Sequence, residues 1–136
     1  MKELDIEAKT ENLPQVLEFV DGILEELDCP MKAQMQLDIA VEEIYVNIAS
    51  YAYAPETGDA TIRFETEQDP LTAVITFFDS GRHYDPLARE DPDVTLPAEE
   101  RDIGGLGVYM VKKSMDAVDY EYRNGQNILR IKKIIG

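Results

Sequence analysis

A chain of 136 residues that is 44% hydrophobic is long enough to bury a core and too apolar for intrinsic disorder, so one globular domain is expected. Thirteen Lys and Arg against 28 Asp and Glu leave a net charge of −15, which repels nucleic-acid phosphates and favours either a basic protein partner or solubility alone. One cysteine and one histidine exclude an internal disulfide and a His/Cys metal cluster, and no apolar run nears the ~18 residues of a membrane span or follows a basic leader, so a reducing cytoplasm is expected.

Leu4 to Ala8 alternates apolar and polar residues, as a first strand does. Asn12 stands where it can cap a helix, with Pro14 in the first turn. Leu13, Val16, Leu17, Val20, Ile23, Leu24 and Leu27 then recur at the spacing of an amphipathic helix. Asp28-Cys29-Pro30 breaks the chain, and Cys29 reads as a packed or linker thiol rather than a nucleophile. Gln36 to Tyr53 contains neither Gly nor Pro and reads as one long helix, with Leu37, Val41, Ile44, Ile48 and Ala52 as its apolar stripe. On a different face Glu43 and Asn47 lie one turn apart. A carboxylate there can take a proton from an attacking hydroxyl, and an amide oxygen can ligate a hard cation such as Mg²⁺. A solvated helix face would show the same pair.

After the turn cluster Ala54 to Asp59, Ala60 to Glu65 alternates, with Ile62 and Phe64 on one side. Gln68-Asp69-Pro70 turns the chain into Leu71 to Phe78, a nearly continuous apolar run expected at the centre of a sheet and paired in a hairpin with its predecessor. Asp79-Ser80-Gly81 comes directly after it. A carboxylate at a strand end with a glycine two residues on suits a planar ligand bearing an amine, and it also suits an ordinary turn. The span from Asp79 to Gly107 is rich in Gly, Pro and charge, which in a compact domain marks a functional or mobile loop. It ends in Gly104-Gly105-Leu106-Gly107, where glycines before a helix start free N–H groups for an anion, or simply give a flexible lead-in. The segment lacks the Gly-Lys-Ser/Thr ending of a Walker loop, and Met110 stands where a Rossmann fingerprint needs a small residue. Val108, Val111, Met115 and Val118 mark a third helix. Asp119 to Arg123 and Asn127 to Ile134 then flank the hairpin signal Asn124-Gly125. The order β-α-α-β-β-loop-α-β-β predicts an α+β two-layer sandwich.

Taken in order, Glu43-x-x-x-Asn47, Asp79-Ser80-Gly81, Asp85-Pro86 and the Gly104-Gly105-Leu106-Gly107 helix start resemble the N, G1 and G2 boxes of the GHKL ATPases, the superfamily of gyrase and the histidine kinases. The resemblance is closest to the bacterial anti-sigma factor serine kinases and spans the chain from the first strand to the last hairpin. It implies a Bergerat-type fold, with a mostly antiparallel mixed sheet, and ATP held under a lid at about 85–102. It implies Asn47 as the Mg²⁺ ligand, Glu43 as general base, and Asp79 on the adenine amine with Gly81 beside it. Gly104, Gly105, Leu106 and Gly107 would cradle the nucleotide, with Gly105 and Gly107 facing its phosphates. The partners implied are a sigma factor, a STAS-type anti-anti-sigma protein whose serine accepts the phosphate, and a second copy of the chain. His83 reads as an exposed loop or nucleotide-edge residue. Arg101, Lys112 and Lys113 are candidate phosphate clamps, the two lysines equally a solvated helix face. Besides the kinase, two other functions fit: a nucleotide-gated binding module without transfer activity, and a detached histidine-kinase catalytic domain, which would need its phosphoacceptor on another protein.

Overall fold

The computed structural model describes residues 1–88 and 103–136, with only the backbone for residues 103–106. Five strands form one sheet in the order β1-β2-β3-β5-β4: β1 Lys2–Glu7, β2 Asp59–Glu67, β3 Thr72–Asp79, β4 Ala117–Arg123 and β5 Gln126–Ile134. Among the described residues three α-helices, α1 Leu13–Glu26, α2 Met31–Asn47 and α3 Ile103–Ser114, complete the two layers. Every strand pairing is antiparallel, so the sheet is not mixed as expected. A single crossover helix leaves β3 and β4 running the same way, but the tight hairpin after β4 inserts β5 between them. Asn124 (φ 54°) and Gly125 (φ 76°) make that turn in the left-handed region, as the sequence signal requires.

The apolar run of β3 takes the central position because seven of its eight residues are buried. In β2 the alternation sends Ala60, Ile62 and Phe64 inward. Facing them are Val16, Val20 and Leu24 of α1 and Leu37, Val41 and Ile44 of α2, each at most 5% exposed. Tyr45 is fully buried in the same core. Its hydroxyl accepts from the Lys9 N–H at 3.1 Å and donates to the Lys9 carbonyl at 2.8 Å, tying the end of β1 to α2. Among the described residues, no helix is long and apolar enough to cross a membrane.

Three local expectations change. The third helix ends at Ser114, so Met115 lies just past it and Val118 belongs to β4. Asn12 precedes α1 but makes no capping bond; it sits in a 3₁₀ turn, and its Nδ2 donates to the Glu7 carbonyl at 2.9 Å. The long helix starts five residues early, at Met31 behind Pro30, and its α-helical part stops at Asn47, giving way to a π-helical turn at Ile48–Ala52. The wider turn is anchored by the segment after β3: the Ala52 carbonyl accepts from the Arg82 N–H at 3.0 Å.

Candidate nucleotide-binding site

A cavity of about 660 Å³ opens between the C-terminal end of α2, the end of β3, α3 and the β4–β5 hairpin. That volume suits a nucleotide-sized ligand. Glu43 and Asn47 reach it from α2, and Asp79 from β3. Two signals that sequence alone left separate and weak, the Glu43 and Asn47 pair and Asp79, thus line one space. Val108, Val111 and Lys112 supply the α3 wall.

Asp79 is 6% exposed. Its Oδ1 accepts from the Gly81 N–H and from Asn127 Nδ2, each at 3.0 Å. Burial pushes this carboxyl upward, and the Asn127 and Gly81 hydrogen bonds oppose the shift by favouring the ionised form. Among the described residues, nothing donates to Oδ2. Gly81 itself is needed for a reason the sequence did not disclose: an added Cβ would stand 2.3 Å from the Ala52 carbonyl oxygen. Next to it Tyr53 accepts from the Ser80 N–H at 2.7 Å and donates to the Asp59 carbonyl at 2.6 Å, so the strand end is clamped to the exit of the π turn. Burial also pushes the Tyr53 hydroxyl up, keeping it a neutral donor and acceptor.

The glycine segment differs from its expected form. The helix begins at Ile103, so Gly104, Gly105 and Leu106 already lie within α3 rather than in a loop ahead of it. The N–H groups of a first helical turn still have no partner inside the helix. Gly107 is the fifth helical residue, so its N–H falls within the helical ladder instead of facing a ligand. What Gly107 provides is room: a Cβ there would lie 1.8 Å from Glu43 Oε1. The carboxylate and the glycine-rich helix are therefore in direct contact.

Of the candidate clamps, Lys112 lines the cavity. Lys113 does not; its ammonium lies 5.5 Å from the Tyr109 ring centroid. Arg101 falls outside the described residues, as does the expected lid beyond residue 88; its first residues, Pro86–Ala88, form a 3₁₀ turn. His83 is exposed at the cavity rim, its ring 4.3 Å from that of Tyr122 and stacked on that of Tyr120 at 6.2 Å. Cys29 sits between α1 and α2 with its thiol pushed up by burial and by Asp38, which makes it a poor nucleophile. Sequence reasoning missed Tyr120 and gave Asn127 no role of its own: it stood only in Asn124-Gly125-Gln126-Asn127, a stretch resembling the family's terminal box or simply a turn, whereas its position opposite Asp79 depends on the β3–β5 register.

A helical layer on an antiparallel sheet, with a buried strand-end carboxylate, a helix carboxylate and the third helix around one cavity, is the architecture of a nucleotide-binding domain of the histidine-kinase type. The chain belongs to the histidine kinase-like ATPase domain family, whose profile matches residues 6–133. It is similar to the serine-protein kinase RsbW of Bacillus cereus, 27% identical over 136 residues, covering 97% of this chain and 84% of that protein. It is also similar to the RsbW of Listeria monocytogenes, 29% identical over 136 residues, covering 96% and 85%.

Proposed function

We propose that this chain is a single-domain, ATP-dependent protein-serine kinase that regulates a sigma factor. The observation that carries the reading is the convergence of Glu43, Asn47 and Asp79 on one nucleotide-sized cavity. Asp79 Oδ2, left without a donor, accepts the exocyclic amine of adenine. Asn47 offers the amide oxygen of a hard-cation site, and a bound Mg²⁺ would supply charge neutralisation on the phosphates. Glu43 takes the proton from the hydroxyl of the acceptor serine. Its contact with Gly107 holds that base against the helix whose first N–H groups, unpaired inside the helix, can face an anion. Lys112, on the same helix, is the cavity's candidate clamp. Residues 85–102, with three prolines and seven acidic side chains, are the proposed lid over the nucleotide.

The acceptor is an exposed serine on a small STAS-type anti-anti-sigma protein, and the regulated partner is a sigma factor. A serine acceptor is supported by the relatives that are serine-protein kinases, and both partners by the resemblance to the anti-sigma factor serine kinases, with the acidic surface favouring a basic partner. A homodimer and a cytoplasmic setting complete the proposal. The test is incubation with labelled ATP, Mg²⁺ and the small proteins encoded beside this chain. Transfer to a serine of one of them is the expected result. ATP binding without transfer to any of them would favour the nucleotide-gated module. Capture of a sigma factor in one nucleotide state only would establish the regulatory half.

A further inference from the structure

A helix lying on a sheet needs one apolar face, and α2 has it in Ala33, Leu37, Ala40, Val41 and Ile44, each at most 8% exposed. It also has a second. Met31, Met35 and Ile39, four residues apart and so stacked along one side of the helix, are 78%, 58% and 56% exposed. By contrast, the exposed side of α1 carries Gln15, Glu18, Glu25 and Glu26. Met110 of α3, 53% exposed, widens the α2 stripe. The C-terminal end of α2 lies at the cavity, where the Ala52 carbonyl meets Arg82. The C-terminal end of α3 lies toward the other end of the sheet, where Ala117 pairs with Lys132. The two helices therefore run antiparallel, and from the Glu43–Gly107 contact Ile39 and Met110 each stand one turn farther from the cavity. None of these four side chains belongs to the core or lines the cavity.

The surface beside the stripe is acidic. Asp21 of α1 accepts from Gln34 of α2 at 3.1 Å, which places it at the seam between the two helices. Glu18 and Glu25, three residues before it and four after, continue that edge along α1. Glu42, also exposed, follows Ile39 by three residues on the stripe's own side of α2. The cations alongside are Lys32 and Lys113, the latter with its ammonium 5.5 Å from the Tyr109 ring centroid.

We propose that the outward face of α2, with Met31, Met35 and Ile39 beside Met110 of α3, docks a basic amphipathic helix of a partner protein. The inference is independent of what the cavity binds. Contiguous exposed apolar side chains rimmed by charge mark a contact surface, whereas single ones need no explanation. Methionine is unbranched and flexible, so a row of it adapts to the side chains set against it. From Met31 to Ile39 the stripe runs about 12 Å along the helix, which matches two turns of a docked helix with apolar residues at i, i+3 or i+4, and i+7. The carboxylates of Glu18, Asp21, Glu25 and Glu42 then meet the lysines or arginines that flank those anchors. A second copy of this chain is the poorer occupant. A two-fold contact sets the same patch against itself, so Glu42 and the α1 edge would face acidic surface in a chain of net charge −15.

The experiment uses the full chain without nucleotide, so its failure leaves the kinase reading untouched. The probe is a synthetic peptide of about 18 residues, long enough to hold a helix, with leucines at helical spacing on one face and lysines on the others. Its controls are the same peptide with glutamates for lysines, and the same composition in scrambled order. Binding of the basic amphipathic peptide should weaken by at least about tenfold in the double variant Met35→Ser/Ile39→Ser, which loses two apolar anchors. Both positions are exposed, so the thermal midpoint should stay at the wild-type value. Glu18→Gln/Glu25→Gln should weaken binding less and reduce its dependence on salt. Site-resolved evidence comes from methyl-¹³C methionine NMR of the wild type, which has five methionines. The Met31, Met35 and Met110 signals should shift with peptide, while buried Met115 and Met1 ahead of β1 should not. Equal binding of the scrambled peptide, or peptide binding that moves none of the three signals, would overturn the docking face. A wild-type dimer in sedimentation that dissociates in Met35→Ser/Ile39→Ser would assign the face to a second copy and overturn the basic helix as its occupant.

Discussion

The two ends of the cavity are built in opposite ways. At the β3 end, Asp79, Gly81, Ser80, Tyr53, Tyr120 and Asn127 are joined by hydrogen bonds that, among the described residues, leave one carboxylate oxygen unused. At the α2–α3 end, Glu43 and Asn47 line the cavity, and the nearest constraint is a packing contact, Glu43 against Gly107. The first end is set before any ligand arrives. The second offers a carboxylate, an amide and a helix N-terminus whose first N–H groups have no partner inside the helix. A saturated network costs no ordering when a base binds, and so serves recognition. Groups held mainly by packing can reorganise around a charged phosphate and a reacting hydroxyl, and so serve chemistry.

The strongest way to break this contrast is Glu43→Gln. It keeps the shape and removes the base, so phosphotransfer should fall by roughly 10²–10⁴-fold while ATP affinity is kept. Rapid-quench transfer assays alongside calorimetry would show the split; a wild-type transfer rate would end the assignment of Glu43 as base.

At the recognition end the effect should be on binding instead. Asp79→Asn sets a donor against the adenine amine and should weaken ATP by about 1–3 kcal/mol, roughly 5- to 150-fold. Equal calorimetric affinities would take Asp79 out of the site.

Gly81→Ala tests how rigid the recognition end is. Its Cβ would stand 2.3 Å from a backbone oxygen of the π turn, so strand end and turn must separate. A loss of about 1–3 kcal/mol in denaturant unfolding is expected, the usual cost of overpacking. A Gly81→Ala variant as stable as wild type would mean that the clamp yields easily.

The smallest effect should come from a place that touches neither end. Asp38 of α2 lies beside Asp21 of α1, with its Oδ1 buried and unpartnered among the described residues. Burial first, and Asp21 second, push its carboxyl from 3.8 to about 7. A carboxyl raised in the folded state favours folding when protonated. Its contribution is therefore complete below pH ~3.8, shrinks as pH climbs through the window to about 7, and is gone above it. Asp38→Asn should leave ATP binding alone and flatten this decline. Thermal unfolding at pH 5 and pH 8 should show the variant gaining on wild type at the higher pH; parallel curves would deny the shift.

The sequence by itself determined the elements, their order and the two-layer class, because each rests on local spacing. The i, i+4 stripes of α1 and α2, the unbroken apolar run of β3 and the Asn124-Gly125 turn are all short-range patterns that survive folding unchanged. It also held Glu43, Asn47 and Asp79 as candidates, each a weak signal when taken alone beside its bland reading. Only the tertiary structure brought these three to one cavity. It replaced the end of the long helix by a π turn so that Ala52 could meet Gly81 and Arg82, and it turned Gly107 from a presumed anion donor into the space that Glu43 fills. It also set Asn127 across from Asp79. Register between strands far apart in the chain is decided by which buried faces must match across the whole sheet, and that sum is not written in any one segment.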